Sequence, residues 1–110
     1  MYLRMYSGDD GLSHFEELEF PFGPGGISPE QAVKTISFHR QEPGLFIDFH
    51  TISERAYYIT ISGEGELSNG VEVKRITPGS ITLTEDSTGK GHSMRIVSKE
   101  PRIFARIALA

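Results

Sequence analysis

Four histidines and no cysteine set the chemistry open to this chain. Without thiolates, a transition-metal site has only imidazole and carboxylate to draw on, and sulfur nucleophiles are excluded. His50 follows Asp48 by two residues. On a strand, positions i and i+2 share a face, so the pair can converge on one pocket. His92 opens a later strand-like segment with Met94 and Ile96 on its face. Imidazole titrates near neutral pH, so His50 or His92 can act as acid or base, with Asp48 setting the tautomer. Both can equally serve as plain hydrogen-bonding groups lining a pocket. His14 lies in Ser13-His14-Phe15, a segment that either folds over a pocket mouth or stays at the surface. His39 shares strand parity with Ser37 and reads as solvated, as do the acidic pairs Glu16-Glu17 and Glu85-Asp86. Gly89-Lys90-Gly91 lacks the spacing of a phosphate-cradling loop and is expected to be a tight turn into the His92 strand.

The elements that must carry these residues are short and β-like. Lys34–Arg40 alternates Ile36 and Phe38 against Thr35, Ser37 and His39, and Leu45–Thr51 alternates in the same way. Tyr57–Ser62 is β-branched and aromatic. Within it, Tyr58 and Thr60 share parity with Ala56 and should line the interior. Tyr57, Ile59 and Ile61 should then face outward as an apolar strip that a second copy could cover. Asn69-Gly70 predicts a type I′ hairpin joining residues 64–67 to 72–75. Ser80–Thr84, His92–Val97 and Ile103–Leu109 complete the set, with a further short strand over Phe15–Phe20. Ser28-Pro29 resembles a helix start, for a helix of at most two turns. Some eight strands in a chain of 110 residues point to an all-β sandwich or small barrel.

Composition removes other classes. A formal charge of −4, with scattered basic residues, is wrong for an electrostatic nucleic-acid binder. No apolar run reaches the roughly 20 residues a membrane helix needs. The N-terminal residues have no apolar run of the signal-peptide kind, which gives a cytoplasmic expectation.

The spacing around the histidines resembles the cupin motifs. Gly44, five residues and His50 fit the first motif, as does Gly63, while Ile52 and Ala56 stand where a second His and a Glu belong. Gly89-Lys90-Gly91-His92 supplies the Gly-x-x-His of the second motif, with Ser87 in place of Pro and Ile96 in place of Asn. The likeness spans residues 33–110, and it implies a single antiparallel, jelly-roll-like cupin β-barrel there, with residues 1–32 as an arm packed on it. It also implies a pocket site of His50, His92 and Asp48, lined by His14, Tyr58, Thr60 and Met94. One divalent Mn, Fe, Ni or Zn ion on His50 and His92 is implied by the same likeness, with Asp48 or His14 as replacement ligands. So is a homodimer. The function expected is binding of a small polar organic molecule, open to its chemical transformation. The alternative is a metal-free binding or sensory module without catalysis.

Overall fold

The computed structural model describes residues 1–110 and consists of ten strands in two sheets. In chain order they are β1 (Tyr2–Ser7), β2 (Ser13–Leu18), β3 (Val33–Gln41), β4 (Phe46–His50), β5 (Ala56–Ser62), β6 (Gly65–Ser68), β7 (Val73–Ile76), β8 (Ile81–Glu85), β9 (His92–Ile96) and β10 (Arg102–Leu109). The larger sheet runs β2-β1-β8-β5-β10-β3 and the smaller β4-β9-β6-β7. Between their facing sides lies a core of Leu3, Met5, Leu67, Ile76, Met94 and Ile96, with Phe15 and Ile47 packed on it. The alternation in sequence explains this layering: each strand turns one apolar set inward.

Four expectations are corrected. The architecture is all-β, but the sheets are not closed into a barrel by hydrogen bonds, since β3 and β4 end their sheets unpaired on one side. The pairing is antiparallel throughout except for β1 and β8, which run parallel. No helix follows Ser28; the only helical turn is a 3₁₀ turn at Pro24–Gly26. Finally, the Asn69-Gly70 hairpin is not type I′. The strands close at Ser68↔Val73, so the loop holds four residues. A type I′ turn needs positive φ at both central residues, and Asn69 has none. Its side chain does other work: Oδ1 accepts from the backbone N–H of Val71 and Glu72, and Nδ2 donates to the Ser13 carbonyl.

Within residues 1–32, β1 and β2 are strands of the larger sheet, and Leu3 and Met5 are fully buried. No strand is expected from the sequence over Tyr2–Ser7, yet one forms there. The segment from Phe20 to Gln31 crosses the outer face of that sheet, where Phe20 stacks on Tyr2 and Gln31 accepts a hydrogen bond from Tyr57.

Candidate functional site

A cavity of about 280 Å³ opens between the two sheets. One wall comes from β4 and β9. His50 and His92 are cross-strand partners there, with imidazole centroids 4.4 Å apart, and both line the cavity. Gly91 makes this approach possible. Its φ of +72° suits glycine alone, and a side-chain carbon would collide with the His50 carbonyl.

The tautomers follow from the partners. His50 Nδ1 lies 2.9 Å from the Asp48 carbonyl oxygen. A carbonyl only accepts, so Nδ1 carries the proton and Nε2 is the free acceptor of the neutral ring. His92 Nδ1 lies 2.7 Å from Asp86 Oδ2, with the same result. Asp86 is completely buried and also accepts from Ser13 Oγ at 2.7 Å, while its Oδ1 has no partner. A carboxylate behind an imidazole fixes its orientation.

Asp48 therefore acts through its backbone. The register of β4 slips between Ile47 and His50, which breaks the i, i+2 parity. Its carboxylate instead accepts from the N–H of Phe49 and stays outside the cavity lining. The carboxylate behind a site histidine is Asp86, which the sequence read as solvated charge. The available signal was its position six residues before His92, at the other end of one loop.

The second wall comes from β10, β3, β5 and β8. Alternate residues Arg102, Phe104 and Arg106 of β10 line the cavity, opposite Gln41, His39 and Ser37 of β3. Arg102 is only 2% exposed, and no carboxylate approaches it. Its partners are neutral oxygens: Nε and Nη2 donate to Thr60 Oγ1, and Nη1 donates to Gln41 Oε1. The guanidinium carbon sits 4.2 Å from the Phe104 ring centre. Burial pushes its pKa down to about 10, so it remains charged at neutral pH. Gly63, at φ +74°, lets its own turn pack on the Arg102 backbone; a side-chain carbon there would sit 2.6 Å from Arg102 Cα. Arg106 differs: it donates to Tyr58 Oη and pairs with Glu54, and these contacts raise its pKa.

Of the remaining residues singled out in the sequence, Tyr58 and Met94 line the cavity. Thr60 is buried behind the wall and holds Arg102. His14 lies outside the lining, where Asp10 pairs with its Nε2 at 2.9 Å. His39, Gln41, Arg102 and Arg106 were not read as site residues. His39 stacks on Phe104 with ring centres 4.8 Å apart.

A divalent transition metal does not fit this donor set. No three His, Asp or Glu side chains come together. The two imidazoles have no carboxylate beside them in the lining, and two guanidiniums share the cavity.

No family model and no curated protein matches the chain. Solved structures do. An uncharacterised double-stranded β-helix protein of Klebsiella pneumoniae is 21% identical with a TM-score of 0.56, over 81% of this chain and 83% of that one. A cupin-2 conserved barrel protein of Salinispora arenicola gives 16% and 0.56, over 68% and 61%. The chain has the cupin fold. A DMSP lyase of Ruegeria pomeroyi is also similar, at 20% identity and a TM-score of 0.58, with 80% of this chain spanning 43% of that one. In this cupin-fold chain the two histidines at motif-like spacing share one cavity, and the six-stranded sheet supplies arginines to it.

Proposed function

We propose that the chain binds a small polar organic molecule in the cavity between its sheets and is equipped to move a proton on it through His92. The observation that carries this reading is the Asp86–His92 pair: a buried carboxylate holds the Nδ1 proton and leaves Nε2 as a base in a residue that lines the cavity. His50, locked in the same tautomer, is the second proton acceptor, and Tyr58 Oη is a donor in the same lining. The similar DMSP lyase supports a cavity that transforms a small molecule, and this chain's residues would do so through acid–base chemistry.

The test is ¹⁵N NMR of the histidine side chains during titration with benzamide and benzoate. Both His50 and His92 should show a protonated Nδ1 and should shift with probe. Asp86→Asn should reverse the His92 tautomer, because the amide can donate to Nδ1. Unchanged His92 signals in that variant, or probe binding that leaves both imidazoles unmoved, would defeat the reading. Chelator should leave the titrations unchanged.

We also propose that two copies associate through the outer face of the larger sheet. Ile36 and Phe38 stand on the edge strand β3, 59% and 70% exposed, beside Ile107 and Ala105 of β10. They continue the apolar strip of Tyr57 and Ile59, part of which the Phe20–Gln31 segment covers. An uncovered edge strand of nine residues that exposes Val33, Ile36 and Phe38 is a pairing surface. Light scattering should give a dimer mass, and Phe38→Glu should give a monomer.

A further inference from the structure

The cavity holds cations in excess. Arg102 and Arg106 line it with three histidines, and no aspartate or glutamate does. Arg106 has its counter-charge in Glu54. Arg102 has none, although it is the more deeply buried of the two. A buried charge is normally paired, because leaving water costs far more than neutral dipoles return. Three of its five N–H donors go to Thr60 and Gln41, which leaves two without a protein acceptor.

A second buried group is also unsatisfied. Thr82, 2% exposed and in the cavity lining, has no partner for its Oγ1. It pairs across the sheet with Tyr58, which in turn pairs with Arg106, two positions along β10 from Phe104. The wall thus runs from the unpaired Arg102 at one end, past the Phe104 ring, to the hydroxyl groups of Tyr58 and Thr82, beside which Arg106 is paired with Glu54.

We propose that the ligand of this cavity is a small organic monocarboxylate, its carboxylate held by Arg102, its body lying on Phe104, and a polar substituent reaching Thr82 and Tyr58. The proposal rests on the cavity-binding reading above and names its ligand class. The two free N–H groups of a planar guanidinium match the two oxygens of a carboxylate. A phosphate dianion would bring more acceptors than this end of the cavity has donors. The ring of Phe104 and the apolar side chains of Met5, Leu67 and Met94 suit an apolar body rather than a bare ion.

Calorimetry and histidine NMR with benzoate, 3-hydroxybenzoate, benzamide and inorganic phosphate separate the possibilities. Benzoate should bind at least tenfold tighter than benzamide, and phosphate should not displace it. Both 3-hydroxybenzoate and benzoate should lose tenfold or more in Arg102→Met and in Arg102→Lys, since lysine carries the charge without the fork. Thr82→Val should erase the advantage of 3-hydroxybenzoate over benzoate while leaving benzoate itself unchanged. Equal binding of benzamide and benzoate, with His50 and His92 shifting, would overturn the carboxylate assignment and leave the cavity reading standing. So would phosphate displacing benzoate, or benzoate binding that survives Arg102→Met in a folded variant. If no probe moves either imidazole, both readings fall.

Discussion

The two walls of the cavity are built on different principles. The β4–β9 wall carries groups that change protonation, each held in one tautomer by an acceptor behind it. The β10 wall carries a fixed charge held by neutral oxygens. The imidazoles of the first wall are each held at Nδ1 and present a free Nε2 to the cavity. In the second wall Arg102 is buried without a counter-charge and Thr82 Oγ1 has no partner. A site of this kind spends stability at one wall to create affinity, and keeps the other at rest until a ligand arrives.

The largest effect that can break this contrast is at Gly91. Replacement by alanine imposes a left-handed strain and a collision with the His50 backbone. It should destabilise the protein by at least about 3 kcal/mol, a fall in Tm of roughly 10 °C or more. Thermal unfolding followed by circular dichroism checks this; a change of one or two degrees would mean that the histidine wall is not held by that contact.

Arg102→Met sharpens the contrast in the opposite direction. Removing a buried, unpaired charge should stabilise the empty protein by roughly 1–3 kcal/mol, even as it weakens carboxylate binding. Denaturant unfolding of both proteins without ligand measures it. A loss of stability would show that the hydrogen bonds to Thr60 and Gln41 outweigh the burial cost, and that the charge is structural.

A smaller effect lies outside the cavity, at Glu85. Burial raises its carboxyl pKa, but hydrogen bonds from Arg4 and Arg55 outweigh that, and the net pKa is lowered. A carboxyl whose folded pKa lies below its unfolded one stabilises fully above the unfolded value, near 4.5. That contribution is lost as pH falls through the folded value. Wild type should therefore exceed Glu85→Gln in Tm at pH 7, and the gap should close between pH 5 and pH 3. A gap that persists at pH 3 would assign it to packing instead of charge.

The same division between the walls decides what the sequence disclosed. His50 and His92 stood out because their spacing from Gly44, Gly63 and Gly89 follows a known pattern, and local spacing survives in the linear chain. The alternation that placed Tyr58 and Met94 inside is equally local. Arg102, His39 and Gln41 meet only because β10 pairs with β3 across some sixty residues, and nothing in either segment announces the register. Arg102 looked like one more basic residue near a chain end. Asp86 was misjudged for a related reason. An acidic residue beside Glu85 reads as solvated, and only Ser13, from the far edge of the larger sheet, together with His92, makes its burial tolerable. Asp48 does set the His50 tautomer, but through its carbonyl; its side chain points elsewhere because β4 has a bulge at that point, where parity counting assumes an unbroken strand.

The parallel pairing of β1 with β8 bears on how the chain acquires this structure at all. Strand β1 is made before the other strands of this fold, yet one of its two neighbours is made almost eighty residues later. Until residues 81–85 emerge, β1 has only β2 to pair with, and an isolated hairpin is marginal in water. Leu3 and Met5, which end up wholly enclosed, lack their β8 neighbour until then. The interior therefore cannot consolidate from the N-terminus outward as translation proceeds. It must close late, in a slow step dominated by contacts distant in sequence, with the nascent N-terminal hairpin as the surface that a chaperone would meet.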